Sequence, residues 1–289
     1  MKGKAAMPAP DSTLAMFSLA GRTAVVTGAG GLLGRQHCRA LAEAGALVVA
    51  TDIDAAACER TVSSLRADLG GTPPGPIHGV AADITDRGSL EKLRAEVLRL
   101  GDRLDVLVNN AATNDRFDEG GDPAASTKFE SYPVEAFRRA LDVNVTGMFL
   151  ACQVLGGEMA RRRRGSIINI ASTYGLVGPD QRIYRRPDGS QGFWKSPVYP
   201  TSKGAVLAFT RYLATAWADA GVRVNSLCPG GVAQAGQEPY FVEQYAQRTP
   251  LGRMAEAHEL RGAILYLASD ASSYMTGSNL VVDGGWTAW

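Results

Sequence analysis

The sequence predicts an α/β fold in which one doubly wound parallel sheet of about seven strands carries helices on both faces. Three observations predict it. Short apolar runs alternate with amphipathic stretches along most of the 289 residues. The first run passes directly into a glycine-rich turn, TGAGGLLG at 27–34. No internal repeat or linker divides the remainder, so a single domain is expected over 18–289.

The elements follow in order. TAVVTG (23–28) reads as the first strand and LLGRQHCRALAEAG as its helix, with Leu33, Cys38, Leu41 and Ala42 on one side and Gly45 at the end. LVVATD (47–52) is the second strand, followed by a helix over AAACERTVSSLRADLG. PIHGVAAD (76–83) is the third, RGSLEKLRAEVLRL a helix, and DVLVNNA (105–111) the fourth strand. A long helix at 133–161 precedes SIINIAS (166–172). A helix at 197–220, VRVNSLCPG (222–230), a helix at 256–268 and NLVVDGG (279–285) complete the sheet. The segments 112–132, 173–196 and 232–250 are long for connections, and each follows the carboxyl end of a strand, where open α/β sheets bind ligands.

Composition narrows the function. The 30 basic and 29 acidic residues nearly cancel, so no overall field attracts nucleic acid or an anionic membrane. The RRRR run at 161–164 ends a helix, where cations complement the dipole, and has no interleaved aromatics. Cys38, Cys58, Cys152 and Cys228 form no C-x-x-C pair and read as buried free thiols of a reducing compartment. His37, His78 and His258 have no metal-ligand spacing. MKGKAAMPAPDSTLAMF contains no apolar stretch of signal-peptide length and reads as a disordered leader to about residue 17. No run approaches membrane-spanning length, and a cytoplasmic location is expected.

Chemistry concentrates at strand ends. Backbone N–H groups at the helix start after the first strand favour a pyrophosphate, and Gly28, Gly31 and Gly34 permit a tight turn with close approach. Asp52 ends the second strand, where a carboxylate accepts hydrogen bonds from both adenosine ribose hydroxyls and repels a 2′-phosphate. NAD is therefore expected over NADP. Asp54 better fits the alternative role of helix cap. YPTSK places Tyr199 and Lys203 four apart on one helical face. A phenol ordinarily titrates near 10, and a neighbouring ammonium brings it toward the working range. Ser172 stands at the end of the preceding strand.

In this order TGAGGLLG, VVATD, AADI, NNAA, DVNVTG, IINIAS, YPTSK, VNSLCPGGV and VVDGG resemble the short-chain dehydrogenases/reductases, from about residue 20 to the C-terminus. The resemblance implies a Rossmann-like sheet and NAD(P)-linked interconversion of alcohols and carbonyls, with a tetramer or dimer as the assembly. It implies Asn144, Ser172, Tyr199 and Lys203 as the catalytic four. Tyr199 would exchange the proton, Ser172 bond the reacting oxygen, Lys203 hold the ribose and tune Tyr199, and Asn144 position a relaying water. It also places Asp83 and Ile84 at the adenine, and Asn110, Ala111 and Ala112 beside the cofactor. Pro229, Gly230 and Val232 would sit near the carboxamide, and Leu32 and Leu33 in the phosphate loop.

Two departures stand out. The short branch usually has T-G-x-x-x-G-x-G, which puts glycine where this chain has Leu32. The observed T-G-x-x-G-x-x-G is more typical of the extended branch, although the ending LVVDGGWTAW belongs to the short one. The interval from Ser172 to Tyr199 is 27 residues, about twice the usual length. The resulting insert, 176–198, carries Arg182, Arg185, Arg186 and Lys195 against Asp180 and Asp188. Arginine forks suit carboxylates or phosphates, so Arg182, Arg185 and Arg186 are expected at an anionic substrate. VGPDQRIY and PGGV…QEPYFVEQY are similar to members associated with flagellin glycosylation and nine-carbon acidic sugars. Trp286 and Trp289 are expected to pack at a subunit contact. The leading expectation is an NAD-dependent dehydrogenase or ketone reductase for a polar, sugar-like substrate. A 3-oxoacyl thioester reductase and a non-catalytic cofactor-sensing scaffold are the alternatives.

Overall fold

The computed structural model describes residues 12–70, 73–114 and 123–289. Seven parallel strands form one sheet in the order β3-β2-β1-β4-β5-β6-β7. They are β1 (Thr23–Thr27), β2 (Leu47–Asp52), β3 (Ile77–Ala81), β4 (Val106–Asn109), β5 (Gly165–Ile170), β6 (Val222–Pro229) and β7 (Asn279–Val282). The strand order reverses between β1 and β4, which opens a crevice at their carboxyl ends. Several expected strands prove shorter than their apolar runs. β3 stops at Ala81 and β5 at Ile170, so Asp83 and Ser172 lie in the loops beyond, at the crevice edge.

Strand alternation explains the two helical layers. Ala24, Val26, Val48, Ala50, Val106 and Val108 face one side of the sheet. There they meet Leu41 and Ala42 of α1 (Leu32–Glu43), Leu65 of α2 (Ala55–Asp68) and, further along, Ile264 of the helix after β6. Val25, Val49, Leu107 and Ile167 face the other way. They pack on Leu90 and Leu93 of α3 (Arg87–Gly101), Leu155 and Met159 of α4 (Val134–Arg162), and Leu213 of α5 (Val198–Ala216). Each such aliphatic side chain contributes about 1.5–3 kcal/mol on burial. The uninterrupted apolar strands are therefore a consequence of burial on both faces.

α4 is long and apolar enough to cross a membrane by those criteria alone, contrary to the expectation that no segment approaches that length. Half of its apolar window is buried, with Ala151, Leu155 and Met159 fully enclosed, so it is a core helix of the domain. Its hydrogen bonding widens to π geometry over Asp142–Gly147 and again over Cys152–Gly156. Arg163 then ends it in the left-handed conformation. The basic run after it is engaged locally: Arg161 and Arg162 pair with Glu158, Arg163 bonds the Asp219 carbonyl, and Arg164 lies 4.0 Å from Asp270.

Two further differences concern segments read as irregular, and a third the helix read at 256–268. Residues 1–11 of the expected leader lie outside the described residues, but Leu14–Phe17 form a 3-10 turn against Asp270–Ser272, with Ser12 Oγ accepting from Ala15 N–H. The segment 232–250 contains α6 (Pro239–Gln247), started by the Glu238 carboxylate, which accepts from Phe241 N–H at 2.7 Å. The helix α7 (Arg261–Ala268) is preceded by a 3-10 turn at Ala257–Leu260. In the third long segment, 112–132, residues 115–122 lie outside the described residues.

Candidate active site

The crevice holds a cavity of about 570 Å³ running from the glycine turn and Asp52 past Ser172 and Tyr199 to α6. At one end, the turn after β1 is shaped by contacts that exclude side chains. Gly28 has φ +63°, and a Cβ there would lie 2.7 Å from Ala111 Cα. On Gly34 a Cβ would lie 2.2 Å from the Gly28 carbonyl oxygen. Gly31 has no such crowding and serves as the N-cap of α1. Asn110 locks the turn by donating from Nδ2 to the carbonyls of Thr27 and Gly28 at 3.0 and 2.9 Å. Thr27 Oγ1 in return accepts from the Asn110 and Ala111 amides, both at 3.0 Å.

Leu32, Leu33, Asp52, Ala112, Pro229, Gly230 and Val232 all line the same cavity, as the sequence pattern implies. Gly30 is a participant that sequence reasoning passed over. Its amide donates to Asp52 Oδ2 at 3.1 Å, and a Cβ would come within 3.0 Å of that oxygen and 2.7 Å of Ala57 Cβ. Asp54 caps α2 through Ala56 N–H, which leaves Asp52 as the carboxylate facing the cavity. Asp83 and Ile84 lie outside the lining residues, and Asp83 Oδ1 is engaged by the Thr85 amide and hydroxyl. A nicotinamide dinucleotide fits this end: a glycine turn crowded against its own backbone, a helix N-terminus and a carboxylate beyond it.

The other end gathers the polar groups expected for chemistry. Ser172 precedes the turn Thr173–Gly175, and its Oγ accepts from Tyr174 N–H at 3.2 Å. Tyr199 and Lys203 project from the first turns of α5, with the Lys203 ammonium 5.8 Å from the Tyr199 ring centroid. Lys203 Nζ donates to the Ile170 carbonyl at the end of β5, at 2.8 Å. Burial lowers the Lys203 ammonium to about 8. Burial raises the Tyr199 phenol, and its hydrogen bond with Ser172 acts the other way.

Asn144 stands one layer behind. The π-helical stretch of α4 turns its amide toward the loop after β4, where Oδ1 accepts from Thr113 N–H at 2.8 Å. Nδ2 donates to the Thr113 carbonyl at 3.0 Å and to Ser202 Oγ at 3.2 Å. Asn144 is absent from the cavity lining, and through Thr113 and Ser202 it braces the β4 loop against α5, beside Lys203.

The insert differs most from expectation. Arg182, Arg185 and Arg186 do not line the cavity, and Tyr184 and Lys195 do. For Arg182 the cause is local: Asp180 takes its guanidinium at 2.9 Å from two nitrogens and also the Arg248 Nε at 2.6 Å. Ile183 and Tyr184 are instead buried in an aromatic cluster with Tyr174, Tyr245 and Trp286. Tyr184 stacks on Phe241 at 5.5 Å, and its hydroxyl lies 3.0 Å from that of Tyr174. Trp286 stacks on Tyr245 at 4.2 Å within its own chain. The signal for α6 and its aromatics was available: a Glu-Pro start followed by Phe241 and Tyr245 at helical spacing.

A family model described as enoyl-(acyl carrier protein) reductase matches residues 28–287. The chain belongs to the short-chain dehydrogenase/reductase family. A galactitol 2-dehydrogenase (L-tagatose-forming) from Cereibacter sphaeroides is 37% identical over 95% of this chain and 98% of its own. An NAD-dependent glycerol dehydrogenase from Listeria innocua is 30% identical, covering 94% and 96%. A crystal structure of a gluconate 5-dehydrogenase from Burkholderia cenocepacia, in complex with NADP and tartrate, superposes with a TM-score of 0.81 at 28% identity over 96% and 100% of the two chains. As a member of this family the protein is an oxidoreductase acting on CH–OH groups with a nicotinamide cofactor. It interconverts a secondary alcohol and a ketone.

Proposed function

We propose that the protein is an NAD(H)-dependent dehydrogenase for a polyol or sugar acid. The observation that carries this reading is one continuous cavity with Asp52 at one end and Ser172, Tyr199 and Lys203 at the other. The relatives act on galactitol, glycerol and gluconate by name, and the cavity's Gln234 and Gln237 suit hydroxyl groups. Bound in the cradle, the dinucleotide supplies the acceptor or donor for the hydrogen on carbon. The chain's residues handle the proton. In alcohol oxidation Tyr199 Oη takes the hydroxyl proton while Ser172 Oγ donates to the same oxygen. The Lys203 ammonium favours the phenolate that starts this step, and Ile170 holds that ammonium in place. Ketone reduction runs the same transfers backwards.

Asp52 favours NAD, since a 2′-phosphate would meet a carboxylate held by Gly30. The four free, buried cysteines suit a cytoplasmic enzyme, and a homotetramer or dimer is the assembly in keeping with the family. The test is a panel of galactitol, glycerol, gluconate and a carboxylated nine-carbon sugar, each with NAD⁺ and NADP⁺. Turnover of a polyol or sugar acid with NAD⁺ supports the reading. A 3-oxoacyl thioester offered with NADH and NADPH completes the panel, and its turnover alone would replace the reading with a 3-oxoacyl thioester reductase.

A further inference from the structure

The chemistry just assigned to Tyr199 uses one ammonium, Lys203, yet two stand at its ring. The second is Lys195, from the insert. Its Nζ lies 4.2 Å from the Tyr199 ring centroid, closer than Lys203 at 5.8 Å, and it lines the same cavity.

The insert is built to hold that lysine. Gln181 Oε1 accepts from the Lys195 amide at 2.8 Å, and Gln181 Nε2 donates to the Lys195 carbonyl at 3.2 Å. Gln191 Nε2 donates to the carbonyls of Gln181 at 2.9 Å and Phe193 at 2.7 Å, fastening the two sides of the insert together. The Trp194 amide donates to Thr127 Oγ1 at 2.7 Å. At the tip of the side chain, Nζ donates to Asn114 Oδ1 at 3.3 Å. Backbone and ammonium are thus both placed, and the aromatic cluster around Ile183 and Tyr184 anchors the base of the insert.

We infer that Lys195 is a second cation acting on Tyr199, a positioning residue that the insert delivers to favour the tyrosine's ionised form. The inference rests on Tyr199 being the proton-transfer group of the reading above. A cation over an aromatic face is attracted to the neutral ring and far more strongly to a ring bearing phenolate charge. Among the described residues, Tyr199 itself acts electrostatically on the phenols of Tyr174 after β5, Tyr184 of the insert and Tyr245 of α6, while Lys203 stands on its own helix and has its ammonium lowered further by Lys195. Burial raises all three of these phenols, so they remain neutral around Tyr199. Lys195 and Lys203 are then the charges that bias it. With the cation over the ring and an effective dielectric between that of a protein surface and of water, a shift on the order of one pH unit is expected.

The test uses full-length protein with ring-¹³C tyrosine, the Tyr199 resonance being the one missing from Tyr199→Phe. Its ionisation is followed by NMR against pH in the parent, Lys195→Met and Lys195→Arg. The methionine keeps the apolar stem and removes the charge; the arginine keeps the charge. Expected is a Tyr199 midpoint about one unit higher in Lys195→Met, restored toward the parent in Lys195→Arg. The rising limb of kcat/KM for galactitol oxidation by NAD⁺ should move to higher pH by the same amount. An unchanged midpoint in Lys195→Met overturns the inference, as does an equal shift in Lys195→Arg. The NMR titration needs no substrate, so failure to oxidise galactitol would count against the proposed function and leave this inference to be decided by the midpoint.

Discussion

The Gly30 amide donates to the Asp52 carboxylate across 3.1 Å, fixing the end of β2 against the phosphate turn of β1. A Cβ on Gly30 would crowd both Asp52 Oδ2 and Ala57. Gly30→Ala is therefore expected to displace the carboxylate and raise KM for NAD⁺ about fivefold or more, a loss on the order of 1 kcal/mol of binding. Maximal turnover should change less than twofold. Initial rates at fixed substrate and varied NAD⁺ check this, and an unaltered KM would show that Asp52 has no part in holding the cofactor.

Removing the carboxylate itself tests the choice between cofactors. The parent should favour NAD⁺ over NADP⁺ by about tenfold or more in kcat/KM, since charge repulsion near 1.4 kcal/mol gives that ratio. In Asp52→Ala the preference should shrink, mainly by loss of efficiency with NAD⁺. Equal use of the two by the parent would contradict the ribose role.

Lys203 trades stability for chemistry. Its ammonium is buried and titrates in the fold near 8, below the ordinary lysine value. Below pH 8 both folded and unfolded chains carry the proton, and the desolvation cost is fully present. Between pH 8 and the unfolded value only the unfolded chain binds it, so this contribution to stability improves as pH rises. Lys203→Met removes the buried charge and leaves the Ile170 carbonyl unpaired. Together these should stabilise the fold by about 1–3 kcal/mol at pH 7 while turnover collapses. Thermal melts at pH 7 and pH 10 measure this. The gain should be smaller at pH 10, and a variant less stable at pH 7 than at pH 10 relative to the parent would contradict it.

His37 gives a signature of the same sign in a lower pH window. It is fully buried in α1, neither ring nitrogen has a hydrogen-bond partner, and burial lowers it to about 3. The folded chain stays neutral while the unfolded chain protonates below the ordinary histidine value. Stability is thus intact above pH 6.5 and lost as pH falls toward 3. Urea unfolding of His37→Leu should show equal or greater stability at pH 7 and an advantage that grows by more than 1 kcal/mol at pH 5. A constant difference across that range would mean that another group drives the acid loss.

The sheet was legible because burial on both faces writes strands as unbroken apolar runs, and β2 falls on the residues that read as a strand. Tyr199 and Lys203 were legible because helical spacing alone puts them on one face. Of the insert's arginines, Arg182 could not be placed from sequence, which gives charge without its partners: Asp180, two residues earlier, captures its guanidinium. Lys195 was counted with them but not distinguished, since its place over Tyr199 depends on the glutamine fastening of the insert, which involves contacts across it. Gly30 escaped for a related reason. Its neighbour Asp52 lies 22 residues away, and only the parallel pairing of β1 with β2 brings them together.

The central claim is that Tyr199 transfers the proton in a nicotinamide-linked alcohol oxidation, and Tyr199→Phe tests it most directly. The substitution keeps the ring and its neighbours and removes the hydroxyl. With a substrate that the parent oxidises, NADH formation should fall by about two to four orders of magnitude, while NADH binding followed by fluorescence stays within about twofold. Near-parental NADH formation by Tyr199→Phe on that substrate would contradict the account.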